Sequence, residues 1–283
     1  MKLTRFYLHH KFLYYFLWWL TLTAICCLPI FLEWDVTLAN IFGNWVLVIG
    51  VFGMFSALLK LQSLAKLLIW QCDPVAYLQQ SDFLLAGLDL SKKITNGHRN
   101  AECVTMLLNR TAAFCDIGRY EDALEIFRLL QNNAGTRLLP PQMAVIYHNL
   151  TWIAAQRGDL SFAEYYANEE RAAWEKCKPI AKSVKAQRWL AETKTAATLL
   201  QKQGKASEAL ALYTQVEQFL QTQKKPALRA RVGTAFEVGA LYFQLEKYSE
   251  AAPRLQFVLE NGGTTVYRAK AAEMLQAIQT KNL

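Results

Sequence analysis

The sequence is poor in reactive chemistry. Its four histidines are His9, His10, His98 and His148, and no two stand with carboxylates at metal-ligand spacing. Six cysteines (Cys26, Cys27, Cys72, Cys103, Cys115 and Cys177) include no Cys-x-x-Cys pair, so neither a zinc site nor a dithiol redox pair is suggested. They read as small apolar side chains of a reducing compartment. No glycine-rich phosphate loop and no nucleophile elbow occurs. Charged residues are only 19% of the chain; of the net charge of +8, residues 73–283 carry a surplus of 5 (26 basic against 21 acidic), too mild to argue for nucleic acid on its own. The expectation is a protein with no catalytic residue, no metal, no cofactor, no nucleic-acid partner and no evident small-molecule substrate.

Apolar residues are abundant, at 53%, and unevenly spread. Two uncharged stretches, 12–32 and 41–59, are each about the length that spans a hydrocarbon core. A short link with Glu33, Trp34 and Asp35 joins them. The composition breaks near residue 72, which predicts a membrane anchor at 1–72 and a second domain at 73–283. The anchor is expected to be a two-helix transmembrane hairpin followed by an interfacial helix at 61–71. Lys2, Arg5 and Lys11 precede the first span, and Lys60 and Lys66 follow the second. The positive-inside rule then predicts a multi-pass protein of the cell membrane with both termini cytoplasmic. Bulky Tyr14, Tyr15, Trp18 and Trp19, and the lack of a small-residue cleavage site, disfavour a cleaved signal peptide.

Beyond residue 72 almost nothing reads as strand. Apolar residues recur at three and four, and one pattern appears four times. A turn residue is followed two positions on by an apolar or small residue and five positions on by Ala. The copies are Gly118, Tyr120 and Ala123; Gly158, Leu160 and Ala163; Gly204, Ala206 and Ala209; and Glu246, Tyr248 and Ala251. A left-handed Gly ends one helix, and the Ala permits a close crossing with the next. Each copy is the elbow of a helical hairpin. Gly262-Gly263 stops the last repeat helix, and 265–281 reads as a capping helix.

This pattern resembles the tetratricopeptide repeat family. Phe127, Tyr213 and Leu255 stand where that family places an aromatic or large apolar residue after the Ala, and Gly239 with Tyr242 match its first helix best. The Ala positions lie farther apart than the family's usual spacing of about 34 residues. The fold class expected is all-α: the transmembrane hairpin, then an α-solenoid of about four such hairpins with a C-terminal cap.

The resemblance implies a concave groove, lined by the first helix of each hairpin, that binds a protein or peptide. Its register places Leu108, Ala112, His148, Trp152, Lys194, Thr198, Phe236 and Ala240 toward the groove. Asn109 and Asn149 match positions where the family bonds a ligand backbone. Basic residues gather at two inter-repeat links: Lys176, Lys178, Lys182, Lys185 and Arg188, then Lys224, Lys225, Arg229 and Arg231. Stacked hairpins would align them as a basic edge facing an acidic partner or the lipid bilayer. The functional expectation is a membrane-tethered, non-catalytic protein- or peptide-binding scaffold of the kind found in bacteria. The alternative is a non-catalytic subunit of a larger membrane complex for export or envelope assembly.

Overall fold

A computed structural model describes residues 1–31, 36–95, 101–134, 138–177 and 182–281. Glu33, Trp34, Asp35, His98 and Lys178 lie outside the described residues, as does the side chain of Lys182. Among the described residues the chain is all-helical, with fourteen helices and no strand. They are α1 (Lys2–His9), α2 (Lys11–Phe31), α3 (Val36–Trp70), α4 (Pro74–Leu85), α5 (Leu90–Thr95), α6 (Ala101–Asp116), α7 (Tyr120–Ala134), α8 (Pro140–Gln156), α9 (Leu160–Glu175), α10 (Lys182–Lys202), α11 (Ala206–Thr222), α12 (Leu228–Gln244), α13 (Tyr248–Asn261) and α14 (Val266–Lys281). The chain divides into two compact units: Met1–Ala65 with Gln79–Leu90, and Lys66–Leu78 with Ser91–Leu283.

In the first unit α2 and α3 pack through glycine. A Cβ added at Gly50 would stand 2.0 Å from Leu22 Cδ2, and one at Gly53 would stand 2.1 Å from Trp18 Cη2. A side chain at either position would force Leu22 or Trp18 to move. The Tyr14 hydroxyl donates to the Gly53 carbonyl at 2.9 Å, so the ring is buried without an orphaned polar group. Arg5 donates to the Ala86 carbonyl at 2.8 Å and lies over the Phe83 ring. Several large apolar residues, Phe12, Trp19 and Phe52 among them, are exposed.

The membrane reading requires correction. Among the described residues no helix is long and apolar enough to cross a membrane. A span needs about 20 predominantly apolar residues in a row. Side chains described without a break run from 11 to 25 in α2 and from 55 to 70 in α3; the first stretch opens on Lys11 and the second carries Lys60 and Lys66. The two-span hairpin expected at 12–32 and 41–59 is therefore set aside, and with it the multi-pass placement with cytoplasmic termini. Residues 61–70 are the end of α3 rather than a separate interfacial helix, and Leu64 and Leu68 are buried.

The second unit is a stack of helical hairpins, α6–α7, α8–α9, α10–α11 and α12–α13, followed by α14. All four elbows have one geometry. Gly118, Gly158, Gly204 and Glu246 take positive φ of 77°, 80°, 79° and 59°. Each donates its N–H three residues back, and the next residue donates five back: Gly118 to Cys115 and Arg119 to Phe114, and likewise at Gly158, Gly204 and Glu246. This paired bonding satisfies carbonyls that a helix end leaves orphaned. Ala123, Ala163, Ala209 and Ala251 are fully buried, with Phe127, Tyr213 and Leu255 also buried one turn on. A Cβ at Gly239 would lie 3.0 Å from Leu255 Cδ2, so α12 and α13 cross closely for want of a side chain.

The stack also closes on itself. The Cys72 carbonyl accepts from Thr264 N–H at 3.1 Å, and the Thr264 hydroxyl donates to Asp73 Oδ1 at 2.8 Å. At Gly263 a Cβ would stand 2.1 Å from the Cys72 oxygen. The Tyr77 hydroxyl donates to the Met106 carbonyl at 3.1 Å. Residues 66–78 thus hold both the first repeat helix and the turn before the last one.

Candidate functional site

Helical periodicity decides what faces inward. Residues four apart share one face, and the first helix of each hairpin turns such a face to the middle of the stack. α6 contributes Leu108, Asn109, Ala112, Cys115 and Asp116; α8 contributes Val145, His148, Asn149 and Trp152; α10 contributes Lys194 and Thr198; α12 contributes Arg229, Gly233 and Glu237. Tyr213 of α11 and Tyr267 of α14 complete a cavity of about 260 Å³. Arg229 at the start of α12 reaches Asp116 at the end of α6, and Val266 at the start of α14 would lie 3.4 Å from a Cβ at Gly118, so these helix ends wall one side of the cavity, called the well below.

Two opposite-charge pairs sit in the wall. Arg229 donates from Nε and Nη2 to the two oxygens of Asp116 at 2.5 and 2.9 Å, joining the start of α12 to the end of α6. Asp116 is 3% exposed and Arg229 is 35% exposed. Burial works against the guanidinium's charge, but the charge of Asp116 and its hydrogen bonds prevail, so the proton is held more firmly than usual. Lys194 and Glu237 form the second pair without close contact. Burial lowers the Lys194 pKa, helped by Arg229 and opposed by Glu237 and Asp116. Burial raises the Glu237 pKa, opposed first by Lys194. Burial also pushes the Cys115 thiol up to about 12, with Asp116 adding to it, so it is no nucleophile. Tyr213 and Tyr267 are raised well above the usual phenol range, chiefly by burial.

A hydrogen-bonded chain supports His148 from behind. Glu170 of α9, 1% exposed, accepts from the Thr195 hydroxyl at 2.6 Å and from Trp174 Nε1 at 3.4 Å. Thr195 Oγ1 also lies 2.9 Å from His148 Nδ1. His148 Nδ1 is 3.5 Å from Glu170 itself.

Of the residues read as groove-facing, Asn109, His148, Asn149, Trp152 and Lys194 line the well, with Leu108, Ala112 and Thr198. Phe236 does not. It is buried against Tyr267 at 5.1 Å between ring centres, and its neighbour Glu237 takes the inward position. Ala240 packs in the same core. The described residues of the expected basic edge differ in their surroundings. Arg229 is inside the well, Arg188 pairs with Glu192 at 2.9 Å, and Arg231 lies over the Phe257 ring. Lys185 is exposed.

Sequence reasoning missed Asp116, Tyr267 and Glu170. Two of them carried a signal. Asp116 is the last residue of α6, where the helix dipole disfavours an acid. Glu170 lies on the same helical stripe as buried Ala163, Ala167 and Trp174; an acid on a core stripe demands a buried partner. Tyr267 gave none. Among the described residues no group of His, Cys, Asp and Glu is placed to hold a metal ion. No protein-family model, no curated protein and no solved structure matches the chain.

Proposed function

We propose that the second unit is a non-catalytic binding module of tetratricopeptide-like design, and that its well receives a short peptide segment of a protein partner. One observation carries the reading. Asn109, His148, Asn149, Trp152 and Lys194, from three different hairpins, converge on one cavity. Side-chain amides can both donate to and accept from a peptide backbone. Trp152, held edge-on by Tyr120 at 5.5 Å, gives an aromatic wall. The volume of about 260 Å³ lies just below the usual range for ligand pockets, so it holds a few residues, not an extended chain. The thiol in the wall is protonated, and the Thr195 hydroxyl beside His148 gives its proton to Glu170 rather than to the imidazole, which favours capture over chemistry.

The test is selection of a random short-peptide library on the immobilised full chain. Enriched peptides are expected to change Trp152 fluorescence, and Trp152→Ala or Lys194→Ala is expected to weaken them at least tenfold. Failure to enrich any peptide, or binding indifferent to both substitutions, rejects the proposal.

A further inference from the structure

The chain behind His148 has a direction. A carboxylate only accepts hydrogen bonds, so the Thr195 hydroxyl spends its single proton on Glu170 at 2.6 Å. Thr195 Oγ1 can then serve His148 only as acceptor, at 2.9 Å. His148 Nδ1 must therefore carry a proton. While the ring is neutral, Nε2 is left with a lone pair. Among the described residues Nε2 has no hydrogen-bond partner, and the 26%-exposed side chain lines the well.

We infer that Glu170 and Thr195 fix His148 as a hydrogen-bond acceptor, and that this acceptor selects a ligand presenting a backbone N–H. The inference rests on the peptide reading above and adds the polarity of one subsite. His148 is here a positioned binding residue, and Thr195 and Glu170 are positioning residues behind it. The wall carries two cations, Arg229 and Lys194, and two acids, Asp116 and Glu237, so its charges sum to zero and a neutral amide is no worse matched than an ion. Asn149, next on α8 and also in the wall, supplies both a donor and an acceptor beside the imidazole. An ester in place of the amide offers Nε2 nothing to accept and sets two lone pairs against each other. Leaving a desolvated acceptor unmade costs enough to weaken binding about tenfold.

The experiment uses the full chain with ¹⁵N-labelled histidine, His148→Asn providing the assignment, at a pH where neutral imidazole dominates. The expected result is a protonated, pyrrole-type Nδ1 and a pyridine-type Nε2 at His148. In Thr195→Val the preference is expected to shift toward protonated Nε2. A wild-type ring protonated at Nε2 overturns the inference, whether or not Thr195→Val folds. The probe for the second arm is N-acetyl-trialanine amide, which has backbone donors and no side-chain chemistry. It is expected to move the Nε2 resonance, and one of its single amide-to-ester analogues is expected to bind about tenfold more weakly. Equal binding of all analogues, with Trp152 fluorescence still responding, removes the inference and leaves the peptide reading standing. No response of either Trp152 or Nε2 to any of them removes the inference; if library selection also fails, the peptide reading falls with it.

Discussion

Replacing either partner of the Asp116–Arg229 pair tests whether the stack is closed as described, and the two replacements must differ. Arg229→Ala strands a carboxylate that is 3% exposed and has lost two charge-assisted hydrogen bonds at 2.5 and 2.9 Å. Breaking a buried pair this way costs about 3–5 kcal/mol. Arg229 is 35% exposed, so solvent already screens the pair and the figure falls to about 2–4 kcal/mol. Asp116→Ala strands instead a guanidinium that reaches water along the well, at a cost of about 1–2 kcal/mol. The double replacement leaves no stranded charge and is expected to cost less than the sum of the single ones by at least about 1 kcal/mol. Substituting a matched apolar pair, Asp116→Leu with Arg229→Met, is expected to lie within about 1–2 kcal/mol of the parent. Urea denaturation of the full chain gives the energies. Amide exchange in α6 and α12 shows whether the loss is local to the closure. Equal costs for the two single variants would refute the burial asymmetry, and strict additivity in the double would refute the contact itself.

Other consequences concern the elbows and the second pair. Gly158→Ala meets no atom within 4 Å, so its expected loss of about 1–2 kcal/mol is backbone strain alone at φ 80°, measurable as a lowered Tm. Glu246→Gly is expected to move the other way, gaining about 0.5–1 kcal/mol, because Glu246 already occupies φ 59° with a side chain that disfavours it. For Glu237, burial raises the pKa above that in the unfolded chain. As pH falls through the raised value the native state takes up this proton first, so the residue's contribution to stability rises until the unfolded chain protonates too. Glu237→Gln is expected to flatten that slope in denaturation curves taken across the acidic range; an unchanged slope refutes the assignment.

Much of the stack was legible because its signals are local. A left-handed turn needs Gly, and a close crossing five residues later needs Ala. Both follow from a few residues of sequence, and the helices turn at Gly118, Gly158 and Gly204. The fourth elbow lacks glycine, yet Glu246 adopts the same bonding, between helices held by the buried Ala251 and Leu255. What was not legible is long-range. Asp116 and Arg229 lie 113 residues apart, and Arg229 within a run of cations reads as one more surface charge. Phe236 and Glu237 differ by one position, about 100° around the helix. The register inherited from the family turned Phe236 to the groove as well as naming Glu237 a groove carboxylate; burial kept only the acid in the well and put the aromatic in the core. At the N-terminal end, apolar composition alone was taken for spans. The structure instead spends part of that apolarity on a glycine-lined helix pair, with Trp18 against Gly53 and Leu22 against Gly50.

Closure decides what kind of recognition the well can perform. An open solenoid presents a strip of unpaired charges and chooses partners by sign and length. Here the staples at Asp116–Arg229 and at Thr264–Asp73 bring the ends together, and the wall holds two cations, Arg229 and Lys194, with two acids, Asp116 and Glu237. A charged ligand at Arg229 or Asp116 must disrupt that pair to gain one, and the low-dielectric setting that strengthens the gain strengthens the loss equally. Net charge therefore cancels as a source of selectivity. What remains is the direction of hydrogen bonds: amides at Asn109 and Asn149 that serve either way, and an imidazole whose direction is set by a carboxylate two bonds behind it. A well built in this manner discriminates by where donors and acceptors stand on a neutral ligand, which is the property a peptide backbone presents at every residue.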